Sequence, residues 1–248
     1  MTTSHFLWAK DIHKALGQGA SRNDVLRGVD LAVDQGQLTL LMGPSGSGKS
    51  TLLSVIGLMQ RADSGDVFVD SLATGSLGPR EVAAVRRRHI GYVFQSFNLF
   101  PGLSVRQNVE LGLAVRGESG ADSRCAAEAA LASVGLQHKT SARPNMLSGG
   151  EQQRVAIARA IVGETSIILA DEPTAALDRD NGHHVFSLLR TLAHDSRRAV
   201  VVVTHDARAA AYADRILQMV DGRIVPDAAG DSGMTCSFSS NEGTRHVG

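Results

Sequence analysis

In 248 residues, 25 lysines and arginines balance 25 aspartates and glutamates, leaving a formal charge of zero. No overall basic field draws such a chain to nucleic acid, and a hydrophobic share of 43% fits a globular chain with a sizeable core. Two cysteines, Cys125 and Cys236, fit no metal-ligand spacing and read as free thiols in a reducing compartment.

Met1–His5 shows no basic stretch leading into an apolar one, so no signal peptide is expected. Leu38–Met42 reads as a buried strand, followed by a Gly/Ser loop and a helix from about Lys49. The triplet Arg86-Arg87-Arg88 is too short for a nucleic-acid patch and reads as a solvated helix face. From Ser104 to Leu136 the chain is helix-rich and Ala-rich, with breaks expected at Gly112, Gly117 and Gly120, forming a helical insert beside the main sheet. Gln152–Ile161 and Asn181–His194 have helical apolar spacing, whereas Ile167–Ala170 and Ala199–Val203 are continuous apolar runs of strand length. None approaches the roughly 18 residues of a membrane span. Alternating strands and helices predict an α/β fold. The Gly- and Ser-rich segment from Asp227 onward is expected to be a disordered tail.

Gly43-Pro44-Ser45-Gly46-Ser47-Gly48-Lys49-Ser50 matches the phosphate-loop pattern GxxxxGK[ST], with a strand before it and a helix after. Glycines let backbone N–H groups close around phosphate oxygens at a helix N-terminus, where the dipole is positive. Lys49 can then reach the β- and γ-phosphates, while the Ser50 hydroxyl can ligate Mg²⁺. Thr51 continues the same turn. The apolar strand Ile167–Ala170 ends in Asp171-Glu172. A carboxylate there is placed to hold Mg²⁺, and side-chain alternation turns Glu172 elsewhere, as a general base toward an attacking water.

Leu147-Ser148-Gly149-Gly150-Glu151 opens the next helix. Ser148 and Glu151 fit a capping box, but the two intervening glycines also bare N–H groups to an anion. A second anion cradle suggests that two chains share each nucleotide.

LSGGEQQR resembles the signature motif of the ABC ATPases and precedes the Asp171-Glu172 strand, as in that family. The other motifs follow in family order: Gln95 resembles the Q-loop glutamine, Ala175-Ala176-Leu177-Asp178 the D-loop, and His205 the switch histidine. The resemblance implies a P-loop NTPase (RecA-like) core with an N-terminal antiparallel β-subdomain and a helical signature subdomain. The ATPase domain would cover residues 5–226, with the helical part at about 96–160. It further implies ATP and Mg²⁺ as ligands, with the metal held by Ser50, Gln95 and Asp171, and catalysis by Glu172, His205 and Gln95. An ATP-dependent homodimer is implied, in which Ser148, Gly149, Gly150 and Asp178 meet the nucleotide of the partner. The chain would lie in the cytoplasm, peripheral on the inner face of the membrane through a separate permease subunit.

Val25–Val29, Asn98–Pro101 and Asp171–Asp178 are similar to the branch of MacB-like, LolD-like and DevA-like ATPases, with an FtsX/MacB-like permease and often a periplasmic adaptor. That branch implies export or extraction of a lipid-like or hydrophobic substrate. An importer ATPase and a soluble non-transport ABC ATPase share most of these motifs. A P-loop kinase or GTPase is disfavoured by LSGGE, and the guanine motif Asn-Lys-x-Asp is absent.

One position departs from the family, because Leu16 aligns where an aromatic residue usually stacks on adenine; Trp8 and His13 are the next candidates for that role. Aromatic stacking on a base is worth about 1–3 kcal/mol in nucleic-acid complexes. Without it, GTP is expected to compete with ATP within about tenfold, a gap of about 1.4 kcal/mol. Leu16→Tyr should tighten ATP binding. Calorimetric titration of both proteins with both nucleotides checks this; a strong ATP preference with no gain in Leu16→Tyr counts against it.

Overall fold

Five strands run parallel at the centre of a six-stranded sheet in which both faces are buried. The computed structural model describes residues 6–225, and the expected tail and Cys236 lie outside them. In chain order the elements are β1 (Leu7–Leu16), β2 (Asn23–Val33), β3 (Gln37–Met42), α1 (Lys49–Ile56), β4 (Ser64–Val69), β5 (Leu72–Ala73), α2 (Pro79–His89) and β6 (Ile90–Val93). There follow α3 (Val105–Ala114), α4 (Ala121–Ser133), α5 (Gly149–Ile161), β7 (Ile167–Asp171), α6 (Arg179–His194), β8 (Ala199–Val203), β9 (Arg215–Val220) and β10 (Arg223–Val225).

The large sheet has the order β10-β9-β3-β8-β7-β6, with only β10 antiparallel. Its inner strands β3, β8 and β7 are nearly continuous apolar, buried runs because each face needs cover. Leu38, Leu40, Ile168, Ala170, Val200 and Val202 join the cluster under α3–α6. Leu41, Ile167, Leu169, Val201 and Val203 face the opposite cluster, built from α1 and the second sheet. That second sheet is antiparallel, in the order β2-β1-β4-β5. Its strands alternate buried with exposed side chains, so one face meets the core and the other meets solvent.

The helical stretch forms with one correction. Gly117 and Gly120 end and begin helices at φ 84° and 97°, as expected, but Gly112 lies inside α3. A Cβ at Gly112 would come within 2.6 Å of the Arg159 carbonyl oxygen, so this glycine admits α5 at close range and breaks nothing. Ser104 caps α3 through a capping box with Gln107. Arg87 and Arg88 are exposed, as a solvated face requires, whereas Arg86 donates to the Leu58 carbonyl at 2.8 Å. Cys125 is an exposed free thiol on α4.

Asp214 ties the start of β3 to the carboxyl end of α6. Its Oδ2 accepts from the buried Leu38 N–H at 2.8 Å and lies 2.9 Å from His194 Nε2 at the end of α6. Burial pushes its carboxyl upward, but the Leu38 amide and His194 outweigh that and hold it below the usual range. A depressed folded value stabilises the fold above the unfolded value of about 3.9. We therefore expect Asp214→Ala, which strands a buried donor, to cost about 1–3 kcal/mol near neutral pH. The deficit relative to the parent should shrink as pH falls below about 4. Urea unfolding across pH checks both; a deficit that stays constant through the acid range contradicts the linkage.

Candidate active site

The phosphate loop leaves β3 and enters α1 through residues that only glycine accommodates. Gly48 is the N-cap of α1 in the left-handed region (φ 102°), with no side chain capping the helix. The first-turn N–H groups therefore face outward as an anion site. A Cβ on Gly48 would lie 2.8 Å from the Val25 carbonyl, and one on Gly43 would lie 2.1 Å from that of Met219. Lys49 is almost fully buried, and its Nζ donates to the carbonyls of Gly43 at 2.9 Å and Pro44 at 2.8 Å. The ammonium is thus held over the loop, braced on its backbone.

Ser50, one residue on, reaches β7: its hydroxyl donates to Asp171 Oδ1 at 3.0 Å. Burial pushes the Asp171 carboxyl upward, against the Ser50 hydrogen bond. A hydroxyl beside a carboxylate is a donor set that suits a hard divalent cation. Among the described residues no cluster of three or more His, Cys, Asp or Glu could hold a metal. Any metal at this pair would draw its remaining ligands from phosphate, water or amide oxygen.

Glu172 sits just past the end of β7 at φ 47°. Its direction is thus set by a left-handed turn, an uncommon backbone for a non-glycine residue, rather than by the strand alternation expected from sequence. Two groups after β8 hold the carboxylate. His205 Nδ1 lies 2.8 Å from Oε1, and the hydroxyl of the fully buried Thr204 donates to Oε2 at 3.2 Å. Because β3, β8, β7 and β6 are neighbours in that order, the phosphate loop, His205, Asp171-Glu172 and Gln95 all emerge along one carboxyl edge of the sheet. Ligand sites of open α/β sheets lie at such an edge. Gln95 is exposed there, after β6.

The loop beyond Gln95 holds Phe97 and Asn98 at φ 48° and 51°. Arg159, on α5, donates to both of their carbonyls, at 2.8 Å and 2.6 Å, and burial lowers the pKa of its guanidinium. Sequence reading had missed Arg159 and Thr204. The clue to Arg159 was a lone cation among Ile157, Ala158, Ala160 and Ile161; Thr204 carried no signal beyond adjacency to His205.

Ser148 caps α5 by the expected capping box: its Oγ accepts from Glu151 N at 3.2 Å, and Ser148 N donates to Glu151 Oε2 at 2.9 Å. None of the hydrogen bonds at Ser148–Gly150 reaches the phosphate loop of the same chain. Asp178 caps α6, and its exposed carboxyl is held low chiefly by the Asn181 N–H.

Leu16 is 39% exposed at the end of β1, paired with Asn23 two residues before the Val25 that abuts Gly48. Trp8 lies eight residues back along the strand, roughly 25 Å at about 3.3 Å per residue. It is stacked on Phe68 at 3.5 Å. His13 Nε2 is bound to Asp11 Oδ1 at 3.0 Å.

A strand, glycine loop and uncapped helix, facing a carboxylate at the end of the next strand but one, define a P-loop nucleoside triphosphatase. The family model described as ABC transporter matches residues 26–175. The lipoprotein-releasing system ATP-binding protein LolD of Bordetella pertussis is 43% identical over 225 residues, covering 91% of this chain and 97% of LolD. The macrolide export ATP-binding/permease protein MacB of Rhodopseudomonas palustris is 45% identical over 204 residues, 82% of this chain but 31% of MacB. The chain thus spans about a third of the length of its MacB relatives. The dimeric structure of MJ0796, a bacterial ABC transporter cassette, superposes with a TM-score of 0.79 at 40% identity, covering 88% of this chain and 96% of that one. Its post-hydrolysis form bound to ADP and Pi gives 0.80. The chain belongs to the ABC transporter family and is an ATPase cassette of it.

The Arg159 clamp gives a measurable expectation. A hydrogen bond to a charged group is worth about 1.5–3 kcal/mol, so Arg159→Ala should speed amide exchange in residues 96–101 by about tenfold or more. Mass-detected hydrogen exchange reads this directly; unchanged exchange would mean the loop holds itself.

Proposed function

We propose that the chain is the ATP-hydrolysing motor of an ABC transporter, driving a separate transmembrane permease that exports or extracts a lipid-like or hydrophobic substrate. The observation that carries the hydrolytic reading is the Glu172 carboxylate, held from two sides by Thr204 and His205 beside the Ser50–Asp171 pair. The match along 97% of LolD, named as the ATP-binding protein of a lipoprotein-releasing system, supports the motor assignment and the class of substrate. Among the described residues no helix is long and apolar enough to cross a membrane. On this reading the chain docks on the inner face of the membrane through an FtsX/MacB-like permease, with a periplasmic adaptor beyond it.

In this assignment residues 5–226 form the ATPase domain and about 96–160 its helical part. Gly43, Pro44, Ser45, Gly46, Ser47, Gly48 and Thr51 surround the phosphates of ATP, and Lys49 moves from its carbonyl braces to the β- and γ-oxygens. Ser50, Asp171 and Gln95 hold Mg²⁺, which when bound offsets phosphate charge. Glu172 takes the proton of the attacking water, with His205 and Gln95 orienting the γ-phosphate and the water. Ser148, Gly149, Gly150 and Asp178 complete the site of a second copy, so ATP lies between two chains. The dimeric MJ0796 cassette supports this arrangement.

Glu172→Gln should bind Mg-ATP normally yet hydrolyse it roughly 10²–10⁴-fold more slowly, the usual contribution of a general base. Size exclusion should then show an ATP-dependent dimer. Hydrolysis at the parent rate would remove Glu172 from the role. Ser148→Arg should keep ATP affinity as a monomer and lose hydrolysis, since a bulky cation would stand where the other copy's γ-phosphate meets this helix start. Lost monomer affinity would instead place the motif in its own chain's site.

A further inference from the structure

Gly150 and Asp178, 28 positions apart in the chain, are joined by a single side chain. Asn181 donates through Nδ2 to Asp178 Oδ2 at 2.6 Å, and its backbone N–H donates to Asp178 Oδ1 at 2.9 Å. The other end of the same amide lies against α5. A Cβ built on Gly150 would stand 2.2 Å from Asn181 Oδ1 and 2.5 Å from its Cγ. Gly150 is therefore a glycine because Asn181 occupies the space, independently of any anion. Gly149, beside it, has open surroundings by comparison, with Leu177 Cδ2 at 3.5 Å.

We propose that Asn181 is a positioning residue for ATP hydrolysis: it locks the Ser148–Gly150 helix start to Asp178, so that the two segments offered to the second chain's nucleotide move as one piece. The inference rests on the shared-site reading above. Asp178 ends an irregular loop that starts at Glu172 and caps α6, while Ser148 caps α5, the helix beside it in the same layer. No backbone hydrogen bond joins Ser148–Gly150 to Ala175–Asp178. A half-buried amide bonded at one end and packed at the other does, because it can neither rotate nor withdraw without breaking a charge-assisted bond. Any shift of the loop that follows Glu172 is then delivered to the helix start that meets the partner's γ-phosphate.

The test uses the full chain with Asn181→Ala and Asn181→Ser, each followed by steady-state ATPase kinetics, nucleotide binding to the monomer and thermal unfolding. Misplacement of a helix start by a fraction of an ångström to one ångström should lower kcat between about tenfold and a hundredfold in Asn181→Ala. Monomer affinity and KM should change by less than about threefold, which is the split of an interaction made only on the way to the transition state. Asn181→Ser retains a hydroxyl donor toward Asp178 and should recover most of the lost kcat. The proposal is overturned by a kcat in Asn181→Ala within about twofold of the parent, by a fall matched in monomer affinity or unfolding midpoint, or by a serine variant no better than alanine. Ser148→Arg assayed alongside separates the two ideas. If it is inactive while Asn181→Ala is unimpaired, only the positioning role fails; if it too hydrolyses at the parent rate, the shared-site reading fails with it.

Discussion

The burial of both faces of the parallel sheet is the constraint from which the rest follows. With α3–α6 on one side, and α1 and the antiparallel sheet on the other, no mid-strand position of β3, β7 or β8 can carry a charge without stranding it in apolar surroundings. Chemistry is forced to the strand ends. The carboxyl ends of neighbouring strands converge, so Lys49, Asp171, Glu172 and His205 arrive at one edge although more than 150 residues separate the first from the last. The hydrogen bonds Ser50–Asp171 and His205–Glu172 then cross between strands at that edge.

Sequence made that edge readable because its signals are local. A glycine loop between an apolar run and a helix, two acids at the end of another run and a histidine at the end of a third each show within a few residues. What escaped was set by tertiary packing. The Gly112 break was wrong because a helical glycine that relieves crowding against Arg159 is indistinguishable in sequence from one that ends a helix. The direction of Glu172 was assigned from strand alternation, yet the strand stops at Asp171 and a left-handed residue takes over. The capping box at Ser148 and Glu151 was legible, and it coexists with glycines kept for other reasons.

Helix α5 emerges as the connector of the site. Its start is pinned through Asn181 to the loop after Glu172, and its Arg159 holds the loop after Gln95. Near its far end it lies so close to β6 that a Cβ on Gly91 would stand 2.0 Å from the Ala160 carbonyl. One rigid rod therefore touches the loops that follow two different strands of the sheet's carboxyl edge. Rigid elements with discrete contacts at both ends are the means by which packed proteins convert a local shift into a displacement elsewhere.

The stacked pair Trp8–Phe68 has a practical side. Trp8 is the chain's one tryptophan, and it sits on the antiparallel sheet with its ring parallel to that of Phe68 within 5°, most of a strand's length from the phosphate loop. Its intrinsic fluorescence is thus a reporter of the melting of that sheet and a poor witness to events at Lys49. A spectroscopist following nucleotide occupancy in this molecule needs a label of another kind, and one following unfolding already has a built-in dye at the right place.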